Sequence, residues 1–394
     1  MLNNQNIIIF GFADWDNPYK TNQHYVARYL SEGNRVLFVE SLGLRQPVIQ
    51  SKDIKRIWRR LLKGLRVFRR YKSNFFVYSP LVIPLHRYKI VRTINSYLLK
   101  FFLRFLVKKY QFNQPIVFSY IPNFLSIFPD FRYKLLIYHC VDEFSANPLI
   151  PESVVKSEEE LLRKADITFV SSRTLYENKA RLARKIFYLP NVADFEHFNR
   201  VTSEDIAQPA DLISIPRPIV GFYGAISGYK IDFELLNYAA RKLSEVSFVL
   251  IGALGEGEKA VDLKKELRSE NIFYLGAKPY DILPVYLKHF AVCILPNRIN
   301  EYTRYMFPLR FFEYLSLGKP VVAVNLPALQ EFSDYFYPAR DYEEFVRAIQ
   351  KALGENNPDL SRRRTEIARQ YSWEKRIEEI SQIVEKELKT NARE

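Results

Sequence analysis

Only two cysteines occur in 394 residues, Cys140 and Cys293, and both sit in apolar, strand-like runs. So sparse and so far apart, they exclude a disulfide framework or a cysteine-held zinc and make a reducing compartment the default. No apolar run is long enough to cross a bilayer. The most hydrophobic later stretch, Tyr97 to Val107, is short and interrupted by Lys100 and Arg104. Ile7-Ile8-Ile9-Phe10 is too brief before Gly11 and Asp14 to read as a signal peptide. Internal repeats and low-complexity segments are also missing. Acid is nearly absent from two windows: residues 52–72 hold ten Lys/Arg against one Asp, and residues 87–109 hold seven against none. Those windows carry +16, so with a net charge of +14 the rest of the chain is slightly acidic. The basicity is a local device.

Both windows show apolar residues at helical spacing. Ile54, Ile57, Trp58, Leu61, Leu62, Leu65 and Phe68 form one series; Ile90, Val91, Ile94, Tyr97, Leu98, Phe101, Phe102, Phe105 and Leu106 form the other. Two basic amphipathic helices with aromatic apolar faces suit an anionic membrane surface, with Trp58, Arg59, Arg60, Arg69 and Arg70 as the expected contacts. An ordinary solvated face over a core is the bland alternative. Nucleic acid is disfavoured, because the aromatics are not interleaved with the cations.

The length predicts two domains. Strands alternate with helices throughout, which predicts an α/β fold of two Rossmann-like parallel-sheet domains facing a cleft. The expected boundaries are 1–200, 201–372 and a terminal helix over 373–394. Ligands of such sheets bind at the carboxyl ends of strands. In the first half this points to Asp14, Asp16, Gln23 and His24 after the first strand, and to His139, Asp142 and Glu143 after Lys134 to His139. Asp14-Trp15-Asp16 spells Asp-x-Asp, a metal motif in one class of sugar transferase, but that motif belongs late in a domain of a different type from the one this strand pattern predicts. No metal is assigned.

The stretch Phe307 to Val324 organises the second half. Pro308 suits a first helical turn, Leu309, Phe311, Phe312, Leu315 and Leu317 give an apolar side, Gly318 caps, and Val321 to Val324 is a buried strand. Arg310 and Glu313 share one helix face. They read either as an internal ion pair or as a cation for phosphate with a carboxylate for vicinal hydroxyls.

Glu160, Ala165-Asp166, Ser171-Ser172, Leu189-Pro-Asn-Val-Ala-Asp194 and Phe198 in succession resemble the end of the N-terminal domain in GT-B glycosyltransferases, close to the retaining family numbered 4, or group 1. Tyr138 to Ser145 and Gln23-His24 resemble the bacterial teichuronic-acid-type subgroup. The resemblance implies an acceptor-binding first domain, a nucleotide-sugar-binding second domain and a final helix that crosses back. It implies that Gly276-Ala-Lys278-Pro-Tyr280 lines the base pocket and that Glu313 holds the ribose. Arg310 stands where the subgroup usually has Lys. Gly224 and Lys230 match a phosphate loop in which Ala225 replaces Arg. Tyr305 stands where the family often has a glutamate near the donor sugar, with Glu301 or Asn300 nearby.

The expected reaction is glycosyl transfer from a nucleoside diphosphate sugar, UDP placed ahead of GDP, to a hydroxyl of a lipid-linked or cell-surface glycan. A retaining, metal-independent course is expected, with no cofactor beyond the co-substrate. An inverting course would need a base from His24, Asp14 or His139. The expected location is cytoplasmic, peripheral on the inner face of the cell membrane. A GT-B epimerase or phosphorylase, or a non-catalytic membrane-associated scaffold, are the alternatives.

Overall fold

The computed structural model describes residues 1–17, 20–40, 68–80, 89–128, 131–146, 150, 152–255 and 261–391. The chain divides into two compact units, 1–189 with 377–394, and 190–376. The long last helix, Trp373–Asn391, passes from one unit's residues into the other's.

The first unit is built on eight strands: β1 (Asn6–Phe10), β2 (Arg35–Val39), β3 (Phe68–Arg70), β4 (Phe75–Tyr78), β5 (Ile116–Ser119), β6 (Leu135–Cys140), β7 (Ile167–Val170) and β8 (Ile186–Tyr188), in the order β3-β4-β2-β1-β5-β6-β7-β8. All neighbours are parallel except β3 with β4. Strands such as Ile7-Ile8-Ile9-Phe10 and Val36-Leu37-Phe38-Val39 are buried along nearly their whole length. Near-continuous apolar runs are what a parallel sheet covered on both faces requires.

The helix expected through residue 72 does not extend that far. Phe68–Arg70 is a strand whose residues alternate. Phe68 stacks on Phe76 and Tyr110, while Arg69 turns to the other side. There its two terminal nitrogens meet Asp16 at 2.5 Å and Glu40 at 2.7 Å. Arg69 is therefore held in an internal ion pair. Arg70 donates to the carbonyls of Lys72 and Ser73 and lies over Phe76. Trp58, Arg59 and Arg60 lie outside the described residues. The second basic window does form a helix, Lys89–Lys109.

Glu143, expected beside His139 as an open carboxylate, is buried instead. Lys179 pairs with it at 2.7 Å and with Glu158 at 2.9 Å, all three nearly inaccessible. Tyr138 and Asn178 donate to the same two carboxylates. Burial alone would lower the Lys179 pKa, but Cys140, Glu158 and Glu143 around it raise it above its ordinary value. This cluster fixes the turn after β6. Lys179→Met strands two buried carboxylates, and an equilibrium urea melt should show a loss of about 3–5 kcal/mol.

The second unit is an all-parallel sheet of β9 (Ile219–Tyr223), β10 (Ser247–Ile251), β11 (Ile272–Tyr274), β12 (Val292–Leu295), β13 (Val321–Val324) and β14 (Tyr337–Ala339), ordered β11-β10-β9-β12-β13-β14. Strand order reverses at β9/β12, so the crevice rule places a ligand beyond the carboxyl ends of these two strands. In the first unit the reversal lies at β1/β5.

Candidate active site

Arg310 and Glu313 lie on the helix Arg310–Ser316, which packs its Phe311, Phe312 and Leu315 into the core of the second unit. Pro308 falls just outside that helix, one residue before its cap Leu309. Gly318 ends the segment in the left-handed conformation, at φ +68°. The polar side of the helix lies against the end of β9. Tyr223, the last residue of β9, donates its hydroxyl to the Glu313 carboxylate. The Arg310 guanidinium lies over the rings of Phe222 and Tyr223, at 5.6 and 5.9 Å. Its Nε is buried without a hydrogen-bond partner.

Glycine is required where the chain leaves the strands. Gly224 has φ +143° and Gly252 has φ +155°. A Cβ on Gly224 would collide with the Arg310 guanidinium, and one on Gly252 with the Gly224 carbonyl. The Gly252 amide in turn donates to Gly276 O at 2.9 Å, joining the ends of β10 and β11. The missing side chains let a cation, a bare loop and a strand end approach one point.

Burial pushes the Glu313 carboxyl up to about 7. The Tyr223 hydrogen bond and the Arg310 charge act against that rise, and Asp194 adds to it. A buried carboxyl pushed up in this way beside an unpartnered guanidinium nitrogen is what makes this cluster a candidate site.

Lys230 closes the loop after β9, its ammonium over Tyr229 and Tyr302. Its carbonyl accepts from Arg298 N at 2.8 Å, and Asn300 Nδ2 donates to Tyr229 O at 2.7 Å. The loops after β9 and β12 are thereby laced across the strand reversal. Asn300 caps the helix Glu301–Tyr305, accepting from Thr303 N. Tyr280 stacks on His197, with centroids 4.6 Å apart and planes 10° off parallel. Lys278 is committed elsewhere: it pairs with Asp211 at 2.5 Å and covers Tyr286.

In the first unit, His24 is buried and has both ring nitrogens engaged. Nδ1 accepts from Thr21 N at 3.1 Å, so Nε2 carries the proton it donates to Asp14 O at 3.0 Å. Burial holds its pKa down at about 4. A neutral imidazole with no free lone pair braces the loop after β1, and Asp14 is part of that loop. Gln23 braces it too, accepting from Phe12 N at 2.8 Å. His139, near the end of β6, is buried and shares a 3.0 Å hydrogen bond with Tyr120. Among the described residues no cluster of three or more His, Cys, Asp or Glu could hold a metal ion, and no helix is long and apolar enough to cross a membrane.

The structure brings together Gly224, Arg310 and Glu313, joins Gly276 to the same strand ends, and places Lys230 in the adjoining loop. Tyr223 and His197 were not identified from sequence. Tyr223 could have been: a tyrosine ending a buried strand, directly before the phosphate-loop glycine, is placed to reach the crevice. Asn297 Oδ1 and Ser227 Oγ, in the two laced loops, are also buried without partners.

Residues 217–355 match the family model for glycosyl transferases group 1. TuaH of Bacillus subtilis, described as a teichuronic acid biosynthesis glycosyltransferase, is 28% identical over 273 residues, 64% of this chain and 67% of its own. Among solved structures, sucrose-phosphate synthase of Thermosynechococcus elongatus superposes with a TM-score of 0.69 at 15% identity, covering 97% of this chain and 98% of its own. Anabaena HepE, in complex with UDP and glucose, gives 0.62 at 13%, covering 97% and 99%. The E. coli trehalose-6-phosphate enzyme bound with UDP-2-fluoro glucose gives 0.67 at 10%, covering 97% and 98%. With this match over residues 217–355 and a two-unit α/β architecture shared with those structures, the chain has the GT-B fold and resembles the group 1 glycosyltransferases, the teichuronic-acid type among them.

Proposed function

We propose that the protein transfers a sugar from a nucleoside diphosphate sugar, UDP ahead of GDP, to a hydroxyl of a lipid-linked or cell-surface glycan. The observation that carries this reading is the placement of Arg310 and Glu313 side by side on one helix at the β9/β12 strand reversal, with the guanidinium pressed on Gly224. Glu313 would accept from both ribose hydroxyls, a fork that a carboxylate fits. Arg310 would neutralise the diphosphate bidentately, with Lys230 as a second cation. Charge grows on the leaving diphosphate as the glycosidic C–O bond breaks, so cations fixed there lower the barrier. UDP is favoured by HepE and the trehalose-6-phosphate enzyme, both described with uridine nucleotides.

A retaining, metal-independent course is the reading we favour. In it the acceptor oxygen bonds to the anomeric carbon on the face the diphosphate leaves, and its proton passes to the departing phosphate oxygen. No protein base is then needed, which agrees with a His24 whose nitrogens are both in use. The first unit would supply the acceptor side, near the loop after β1, and the protein would work as a peripheral enzyme on the inner membrane face.

The test is a panel of nucleotide sugars with a lipid extract as acceptor source, following nucleoside diphosphate release and the anomeric configuration of the product by NMR. Release with one base series, dependent on the extract and with the anomer retained, is expected. An inverted anomer would overturn the retaining course, and no release from any donor would overturn the transferase reading.

A further inference from the structure

The helix Lys89–Lys109 is apolar on two opposite sides. Leu99, Leu103 and Leu106 are buried against the first unit. On the other side Ile90, Ile94, Tyr97, Phe101 and Phe105 recur every three or four residues and point outward, with Ile90 75%, Tyr97 73% and Phe101 66% exposed. One layer of apolar residues suffices to seat a helix on a core. The second layer is surplus to folding, and exposed apolar patches of this kind mark an interaction site.

The helix contains no acid. On a wheel of 100° per residue, Lys100 and Arg104 lie on one flank of the outward stripe, Lys109 closes the other flank beyond Phe105, and Lys108 falls within the stripe at the helix's C-terminal end. An apolar stripe edged by cations matches a surface with a negative rim and an oily interior. We infer that this face docks flat on an anionic phospholipid bilayer, with Tyr97, Phe101 and Phe105 seated below the headgroups and the lysines and arginine on lipid phosphates. A second copy of the chain fits less well, since like charges would meet along the flanks.

Topology gives the docking a purpose. The helix connects β4 to β5 in a parallel sheet, so its first half starts at the strands' carboxyl ends. Ser96 Oγ bonds Ser126 O in the segment that follows β5, at that same end. Ile90, Ile94 and Tyr97 thus lie towards the end of the sheet that carries the Asp14 and His24 loop. A bilayer held there would bring a lipid-linked acceptor to the acceptor side. This deepens, and rests on, the membrane-acceptor part of the proposed function. The surface itself differs from the Arg59, Arg60, Arg69 and Arg70 set expected from sequence.

The experiment is sedimentation of the full chain with vesicles of phosphatidylglycerol and, in parallel, of phosphatidylcholine. The variants are Tyr97→Glu/Phe101→Glu and Lys100→Glu/Arg104→Glu/Lys108→Glu, with thermal melts and size-exclusion light scattering on each. Wild type should bind the anionic vesicles, and each variant should lose about a hundredfold in partitioning or more at low salt. Nucleoside diphosphate stabilisation should be unchanged and melts should shift little, because Tyr97, Phe101, Arg104 and Lys108 are exposed and Lys100 is only half-buried. Phe101→Ser, which adds no charge, should give a smaller loss in the same direction. Unchanged partitioning of both multiple variants would overturn the inference. So would a wild-type dimer that Tyr97→Glu/Phe101→Glu converts to monomer, which would make the face a self-interface. Lipid binding that behaves as expected in a protein no nucleotide stabilises would leave this inference standing and remove the transferase reading.

Discussion

Replacing Arg310 with alanine is expected to lower kcat/KM for the sugar nucleotide by about a hundred- to a thousandfold. That is the range for removing one preorganised charge stabiliser from a site that develops anionic charge. Arg310 lies over Phe222 and Tyr223, its Nε has no hydrogen-bond partner, and Gly224 has no side chain to obstruct it. A guanidinium kept only for stability would have its nitrogens satisfied. Arg310→Lys keeps the charge but loses the planar fork, so it should recover part of the rate. Gly224→Ala should imitate Arg310→Ala without touching the arginine, because its Cβ needs the space the guanidinium fills. Steady-state release of nucleoside diphosphate, with a thermal melt for each variant, separates these effects from misfolding. Wild-type turnover in Arg310→Ala would return Arg310 to a structural role.

Glu313→Gln is expected to raise stability and abolish efficient donor use in the same molecule. Burial lifts the Glu313 carboxyl from 4.5 to about 7, so the fold disfavours its ionised form. A carboxyl raised above its unfolded value contributes stability that is fully present below about 4.5 and lost as pH rises through about 7. At pH 8 the ionised side chain costs the fold about 3 kcal/mol on the scale of 1.36 kcal/mol per pKa unit. Glutamine removes that cost, so urea melts should show Glu313→Gln more stable by about 1–3 kcal/mol at pH 8 and nearly equal to wild type at pH 4.5. Donor affinity moves the other way, because an amide cannot accept from two ribose hydroxyls as a carboxylate does. In wild type, donor kcat/KM should rise about tenfold per pH unit below 7 and level off above it. Tyr223→Phe removes a hydrogen bond that holds the carboxyl down, so it should move that midpoint to higher pH. A pH profile flat from 5.5 to 8 would contradict the role given to Glu313.

The parallel strands were legible because burial on both faces writes them as short apolar runs. Ile7 to Phe10, Val249 to Ile251 and Val321 to Val324 could hardly be anything else. Glycines at strand ends and the Arg310/Glu313 spacing pointed to the strand-end cluster of Gly224, Arg310 and Glu313 for the same local reason. What failed depended on partners and pairings that the local pattern does not announce. Phe68 continued a helical series from Ile54, yet three residues pairing with β4 place it in a strand, and Arg69 is drawn inward by Asp16 and Glu40. Glu143 resembled an open carboxylate because Lys179 lies 36 residues further on. His24 resembled a free base because nothing in its neighbours announces that Thr21 N and Asp14 O take both nitrogens. Strand β14 was missed because Pro338 sits in it, a residue that a sheet tolerates at an edge. The outward stripe on the helix Lys89–Lys109 could not be divided into core and surface until the structure assigned Leu99 and Leu103 to one side and Tyr97 and Phe101 to the other.

The central claim is that the β9/β12 strand reversal of the second unit is a nucleoside diphosphate site. Titration calorimetry of UDP and GDP into wild type, Arg310→Ala and Glu313→Gln at pH 8 tests it most directly. One diphosphate should bind wild type, with affinity about a hundredfold weaker or undetectable in both variants. Binding of neither nucleotide to wild type, or equal affinity in all three proteins, would contradict it.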